Sequence, residues 1–233
     1  MKIIGIIPAR YNSQRLPGKP LIKIHGKALI ELTYTNLIKM ELFDSIYIAT
    51  DSEKICNEAK KIGASAIMTS VDLKNGTERC NEAIKKLGSK ISHDDIIINI
   101  QCDEPFVKKQ HIQKILSLFT KKTHIGTLVS YLTTKDINNP SVVKLNLDTN
   151  NQALIFSRFV HDLDNTQQLY KHIGIYAYRK DTLNLLANLP TTIEELEQKL
   201  EQLRWVNTHY KITCGVIKDD ILSINTEEDL KNI

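Results

Sequence analysis

The run Asp95-Ile96-Ile97-Ile98-Asn99-Ile100 places aliphatic side chains at consecutive positions, so a strand formed there must be covered on both faces. Such a strand belongs in a parallel sheet with helices on either side, which leaves few other architectures open. The neighbouring segments agree. Ile3-Ile4-Gly5-Ile6-Ile7 and Ser45-Ile46-Tyr47-Ile48-Ala49 read as strands, and each is followed by a helical pattern, roughly Ala28 to Met40 and Glu53 to Lys61. Alternation at that spacing predicts βαβ units. After about residue 120 the pattern loosens into β-like pieces at 126–132, 142–147, 153–156 and 173–178. Thr192 and Glu195 then read as a capping-box pair opening one amphipathic helix, whose apolar face carries Ile193, Leu196, Leu200 and Leu203. Two heptads are too few for a coiled coil, so this helix is expected to pack on its own domain rather than face a partner.

With 233 residues and no repeat, low-complexity tract or Pro/Gly/Ser linker, the chain is expected to fold around one main sheet. A net charge of +4 is too slight to argue for nucleic acid or a membrane surface. Cys56, Cys80, Cys102 and Cys214 are scattered and form no C-x-x-C pair, which fits a reducing cytoplasm and disfavours a zinc ribbon or thiol redox site. The apolar run before Pro8 is too short for a signal peptide or a membrane span. A soluble cytoplasmic protein without a targeting segment is therefore expected.

The segment after the first strand is the most informative for chemistry. Residues 1–30 hold six Lys/Arg and no acid. Arg10, Arg15 and Lys19 sit among Pro8, Pro17, Gly18 and Pro20, which should keep this stretch out of regular structure and let the three cations converge on one polyanion, a triphosphate above all. The same composition equally describes a solvated basic loop with no ligand. The segment matches neither G-x-x-x-x-G-K-[ST] nor G-x-G-x-x-G, which disfavours P-loop ATPases and dinucleotide-binding dehydrogenases.

IIPARYNSQRLPGKPL closely resembles the N-terminal signature of the 3-deoxy-manno-octulosonate (Kdo) cytidylyltransferases. The resemblance runs on in family order through ATD (49–51), NGTER (75–79), QCDEP (101–105), NP-x-x-VK (139–144), ALIFSR (153–158), KHIGIYAYR (171–179), LEQLR (200–204) and NTEEDL (225–230). The sialic-acid cytidylyltransferases are more distant, with a loop closer to PARGGSK. The resemblance implies a Rossmann-like α/β nucleotidyltransferase fold with a mostly parallel central sheet and a smaller dimerisation and sugar-binding subregion. It implies one nucleotidyltransferase domain over 1–233: about 1–120 for nucleotide, about 121–210 for the acceptor sugar and dimerisation, and 211–233 returning to the main sheet. The implied reaction moves CMP from CTP to the anomeric hydroxyl of an acidic 2-keto-3-deoxy sugar with magnesium (Mg2+) as cofactor, in a homodimer without nucleic acid or membrane partners.

Carried over residue by residue, Arg10, Arg15 and Lys19 would grip the triphosphate and act in catalysis with Asp103. Ala9, Thr50, Asp51, Gly76, Thr77, Arg79 and Gln101 would line the cytidine pocket. Asp103 and Asn225 occupy the metal positions, while Arg158, His172, Tyr176, Glu201 and Gln202 match positions that contact the sugar, Arg158 suiting its carboxylate. The other histidines, His25, His93, His111, His124, His161 and His209, show no metal-ligand spacing and read as solvated or packed.

Two departures stand out. Cys102 replaces the glycine of the usual QGDEP, which would narrow the pocket or expose a thiol beside it. Asn225 stands where the family's second metal-binding carboxylate stands, so metal affinity is expected to fall. The segment between ALIFSR and KHIGIY is also short. These departures leave two further readings: a cytidylyltransferase for another acidic sugar, such as an amino-Kdo or capsule precursor, and an impaired nucleotide-binding homologue.

Overall fold

The computed structural model describes residues 1–12, 16–164, 166–207, 210–224 and 226–231. Its elements in chain order are β1 (Ile3–Ala9), β2 (Lys23–Ile24), β3 (Lys27–Ala28), α1 (Leu29–Lys39), β4 (Ser45–Thr50), α2 (Glu53–Lys61), β5 (Ser65–Met68), α3 (Gly76–Leu87), β6 (Ile96–Asn99) and α4 (Lys109–Ser117). There follow β7 (Ile125–Tyr131), α5 (Thr134–Ile137), β8 (Lys144–Leu147), β9 (Ala153–Ser157), β10 (Leu169–Arg179), α6 (Lys180–Ala187), α7 (Ile193–Gln198), α8 (Gln202–Val206), β11 (Ile212–Ile217) and α9 (Glu227–Lys231). They form two compact units, one of Met1–Ile112, Arg179–Ala187 and Ile221–Ile233, the other of Gln113–Tyr178 and Asn188–Asp220.

The first unit is built on four parallel strands in the order β6-β1-β4-β5. Ile4, Ile6, Ile7, Ile48, Ile97 and Ile98 are each at most 1% exposed, which is the double coverage that the aliphatic runs demand. Burial of each such side chain stabilises the unit by roughly 1.5–3 kcal/mol. Carboxylates fix the start of β1: buried Asp95 accepts from the Lys2 and Ser92 amides at 2.7 and 2.8 Å, and Asp44 accepts from the Ile3 amide at 2.7 Å. Pro8, expected in the loop, instead lies in β1 opposite Ala49. It is tolerated because pairing with β6 ends at Ile6, so β1 is an edge on that side at Pro8.

In the second unit the strand order is β11-β7-β10-β8-β9, parallel for β11 with β7 and antiparallel elsewhere. β10 begins at Leu169 rather than 173, and its register against β7 shifts between Ile173 and Tyr176. Trp205 stands edge-on to Tyr176 and Tyr178, with ring centroids 5.2 and 6.1 Å away.

The single amphipathic helix expected after Thr192 is two short helices. Lys199 takes a left-handed conformation (φ 54°), and the Glu195 carbonyl accepts from both the Lys199 and Leu200 amides, which closes α7. The break turns Leu200 and Leu203 inward, at 3% and 5% exposure, and leaves Ile193 and Leu196 outside, at 72% and 66%. Only half of the expected capping box forms: the Thr192 hydroxyl accepts from the Glu195 amide at 3.2 Å, while the Glu195 carboxylate turns to Arg204 at 2.7 Å. A complete box occurs instead at Thr133 and Asp136. The Arg204–Glu195 pair is buried, with side chains 3% and 10% exposed, and Arg204 also donates to the Leu189 carbonyl at 3.0 Å. Glu195→Ala should therefore cost about 3–5 kcal/mol, read from the urea unfolding midpoint, because it strands a buried guanidinium. Adding Arg204→Met should recover part of the loss, and a single variant within about 1 kcal/mol of wild type would show that the pair holds nothing in place.

Candidate active site

Three loops leave the carboxyl ends of parallel strands in the first unit, where open α/β sheets gather functional groups. The register places Ala9 at the end of β1 opposite Thr50 at the end of β4, and β6 ends at Asn99, just before Gln101 and Asp103. Ala9, Arg10, Lys19, Gln101, Cys102 and Asp103 line a cleft of about 180 Å³ together with Pro8 and Pro20. Lys19 opens a short 3-10 turn over Lys19–Leu21, a local structure the sequence reading had not expected. Gly18 before it has φ 68°, and its amide donates to the Tyr11 carbonyl at 3.0 Å, so a glycine sets the angle from which Lys19 enters the cleft. The Lys19 ammonium lies 2.5 Å from Asp103 Oδ2. Arg10 is exposed on the same cleft, while Arg15 lies outside the described residues.

Gln101 is fixed by its neighbours. Its Nε2 donates to Asn99 Oδ1 at 2.9 Å, and a Cβ at Gly76 would stand 2.6 Å from that nitrogen, so a larger residue there would push the Gln101 amide aside. Thr77 in the same turn is buried, as is Thr50. The Asn75 side chain accepts from the Glu78 amide at 2.8 Å and caps α3.

A second cleft of about 240 Å³ shares Arg10 and is walled by Tyr11, Asp51 and Arg79 among others. Arg79 is 2% exposed, and its guanidinium donates to Asp51 Oδ2 (3.1 Å), the Thr69 hydroxyl (2.6 Å) and the Ser70 carbonyl (3.2 Å). Asp51 Oδ1 in turn accepts from the Tyr11 amide at 3.1 Å. Arg79 and Asp51 therefore brace the loop after β1. Tyr11, which the sequence reading did not single out, is the residue they hold; its place inside the loop signature was the available signal.

Among the described residues no group of three or more His, Cys, Asp or Glu side chains is gathered to hold a metal ion. Asp103 fits a magnesium ion of the kind that keeps its waters and is held by one or two carboxylates plus substrate phosphates, since one of its oxygens pairs with Lys19 and the other has no hydrogen-bond partner among the described residues. The C-terminal segment is tied beside it: the Ile224 amide donates to the Asp103 carbonyl at 2.9 Å, and the Ser223 hydroxyl to Glu104 Oε1 at 2.6 Å. Asn225 lies outside the described residues. Cys102 does not expose a thiol. Its side chain is buried, which pushes its pKa well up, and its carbonyl accepts from the Thr33 hydroxyl at 2.8 Å.

The expected sugar residues lie in the second unit. The Arg158 guanidinium donates to the carbonyls of Gln198 (2.7 Å), Pro140 (2.9 Å) and Lys199 (3.4 Å). It clamps the chain where α7 breaks, and buried Lys144 holds the Arg158 carbonyl at 2.9 Å and that of Asn139 at 2.6 Å. Lys144, which carries no role in the sequence reading, was visible there only as the end of NP-x-x-VK. His172 stands edge-on to Phe156, with centroids 5.3 Å apart, and its ring centroid lies 5.2 Å from that of Tyr176. Burial pushes the His172 pKa down from 6.5 to about 3, so the ring is neutral at ordinary pH. Burial first, and the Glu201 carboxylate second, push the Tyr176 hydroxyl well above its usual range. The Tyr176 hydroxyl and Gln202 Oε1 are buried without a well-formed hydrogen bond among the described residues, although the Gln202 and Thr127 side chains lie close enough to the hydroxyl to oppose part of the upward shift. Glu201 precedes Gln202 at the start of α8. Of the remaining histidines, His111 is packed in the core and His209 lies outside the described residues.

Comparison with known proteins bears on all of these groups. Residues 4–212 match the family model described as cytidylyltransferase. A 3-deoxy-manno-octulosonate cytidylyltransferase of Parabacteroides distasonis is 41% identical over 99% of this chain and 96% of its own length. An 8-amino-3,8-dideoxy-manno-octulosonate cytidylyltransferase of Shewanella frigidimarina is 39% identical over 99% and 96%. The solved structure of a CMP:2-keto-3-deoxy-manno-octonic acid synthetase complexed with CTP superposes with a TM-score of 0.90 at 32% identity, over 100% of this chain and 96% of that one. With its sequence and its α/β fold alike matched along nearly the whole chain, this protein belongs to the cytidylyltransferase family, among the 3-deoxy-manno-octulosonate cytidylyltransferases and their 8-amino relatives.

Proposed function

We propose that this protein transfers CMP from CTP to the anomeric hydroxyl of 3-deoxy-manno-octulosonate, with magnesium, releasing pyrophosphate and supplying lipopolysaccharide or capsule synthesis in the cytoplasm. The observation that carries the reading is the cleft at the carboxyl ends of β6 and β1, where Arg10, Lys19 and Asp103 meet. The attacking hydroxyl belongs to the sugar, so the protein needs no nucleophile of its own and acts by positioning and by neutralising charge. Arg10 and Lys19, with Arg15 by resemblance, would bind the triphosphate and stabilise the leaving pyrophosphate. Asp103 would hold magnesium, with Asn225 as the second ligand by resemblance; the ion, when bound, draws charge from the phosphate oxygens. The buried polar atoms of Tyr176 and Gln202 support a polyhydroxylated acceptor.

The exposed apolar side chains Leu154, Phe159, Ile193 and Leu196 support pairing with a second copy in a homodimer. No helix among the described residues is long and apolar enough to cross a membrane. An 8-amino sugar acid as acceptor is the second reading, favoured by the 39% identity to the relative named for it.

Pyrophosphate release from CTP with a panel of 2-keto-3-deoxy acids, with and without magnesium, tests the proposal. Turnover with Kdo and CTP, and little with ATP or GTP, is expected; comparable turnover with ATP would point to a different nucleotidyltransferase, and preference for the 8-amino acid would favour the second reading. Arg15→Ala should keep the fold and lower kcat/KM by at least ~100-fold, since a charge-assisted phosphate contact contributes about 3 kcal/mol in the transition state. A variant within threefold of wild type would remove Arg15 from the mechanism. Magnesium half-saturation should be weak and should tighten in Asn225→Asp, while Asp103→Asn should nearly abolish turnover. An Asn225→Asp protein with unchanged magnesium dependence would refute the assignment of Asn225 to the metal.

A further inference from the structure

Thr127 on β7 faces the irregular part of β10, where Ile173 pairs with Leu128 but Tyr176 already pairs with Thr127. The two additional residues turn a pair of carbonyls onto one buried hydroxyl. Thr127 Oγ1 lies 2.9 Å from the Ile175 carbonyl oxygen, 3.3 Å from that of Ile173 and 3.2 Å from His172 Nε2. A hydroxyl has one proton and two lone pairs, whereas a carbonyl oxygen can only accept. The proton therefore goes to the Ile175 carbonyl, the nearest acceptor, and toward His172 the hydroxyl can only accept. Nε2 must then carry a hydrogen. A neutral imidazole has just one N–H, so Nδ1 is left with its lone pair, and Nδ1 makes no hydrogen bond among the described residues.

We propose that Thr127 is a positioning residue of the acceptor site, holding His172 as the Nε2–H tautomer so that Nδ1 accepts a hydrogen bond from a hydroxyl of the sugar acid. The proposal rests on the proposed function for the placement of His172 at the sugar, and it adds the residue that sets which ring nitrogen meets the ligand. It also gives the β10 irregularity a purpose. The shifted register brings the His172 and Tyr176 rings to 5.2 Å on the face that Thr127 shares. A ring of the opposite tautomer would present a donor there, which a ligand hydroxyl could meet only by accepting, with its own proton then turned elsewhere.

The test reads the tautomer and the kinetics separately. Long-range 1H–15N correlations of the full-length wild-type protein at pH 7, with the His172 ring assigned by its loss in His172→Asn, should show Nε2 protonated and Nδ1 bare. Thr127→Val keeps the shape and removes the hydroxyl; it should mix the tautomers and raise the KM for the sugar acid about tenfold, the loss of roughly one hydrogen bond, with KM for CTP within twofold and kcat little changed. Thr127→Ser, which retains the hydroxyl, should restore both readouts. A wild-type ring protonated at Nδ1 would overturn the proposal, as would an unchanged sugar KM in Thr127→Val. Should Thr127→Val fail to fold, the wild-type tautomer and the Thr127→Ser kinetics still decide. Absence of turnover with every sugar acid would overturn the proposed function instead, and the tautomer, read without substrate, would still judge the Thr127 assignment.

Discussion

The parallel placement of β1 between β4 and β6 is the constraint from which the rest of the first unit follows. Because the three strands run in one direction, the loops after Ala9, Thr50 and Asn99 leave the same edge of the sheet. An antiparallel neighbour would send one loop to the opposite edge and disperse the charged groups. Common direction alone does not bring the loops together, and two polar contacts do so. The Lys19–Asp103 ion pair joins the loop after β1 to the loop after β6, and the Tyr11 amide on Asp51 joins it to the loop after β4. Strand direction selects which residues meet, and these contacts fix how closely.

Cations in this protein do two kinds of work, and residue type does not separate them. Arg79, Lys144, Arg158 and Arg204 each donate to main-chain carbonyls within their own unit, Arg79 and Arg204 pairing with a carboxylate as well, and they act as bolts between loops. Arg158 is the clearest case. Its guanidinium holds the carbonyls of Gln198 and Lys199, where a non-glycine residue occupies the left-handed region at a cost of about 1–2 kcal/mol. That bend starts α8, and so fixes where Glu201 and Gln202 stand. Beside the carboxylate contact that the resemblance implies for it, Arg158 thus fixes the backbone just before the next two candidate residues. Arg10 and Lys19, by contrast, line the cleft itself.

How much of this was legible in the sequence differs with the range of the interaction. Hydrophobic runs and caps are local, and they placed β1, α1, β4, α2 and β6 within a residue or two. The motif blocks brought Ala9, Lys19, Gln101, Cys102 and Asp103 to one cleft because their spacing follows strand ends. What failed depended on distant partners. The pattern of Ile193, Leu196, Leu200 and Leu203 is helical, but the break at Lys199 is held by an arginine some forty residues earlier, which no local period reports. The Glu195 carboxylate left its capping position for Arg204 for the same reason. Thr127 was invisible because its role exists only where β7 meets the irregularity of β10.

The cysteine in QCDEP follows the same logic of partners. A glycine in that place would suggest a backbone that a ligand must approach closely, and a thiol there would seem to obstruct it. Cys102 instead turns its side chain into the interior, where burial disfavours the thiolate, and the Thr33 hydroxyl holds its carbonyl. The residue lines the cleft, yet its buried thiol offers it no nucleophile. Close approach is required elsewhere, at Gly76, whose missing Cβ leaves room for the amide of Gln101. A methyl group at Gly76 would push on the flexible end of Gln101 and loosen its bond to Asn99, whereas the side chain at 102 is already buried. Where a small residue matters is set by which side chain leans on the backbone, here Gln101 on Gly76.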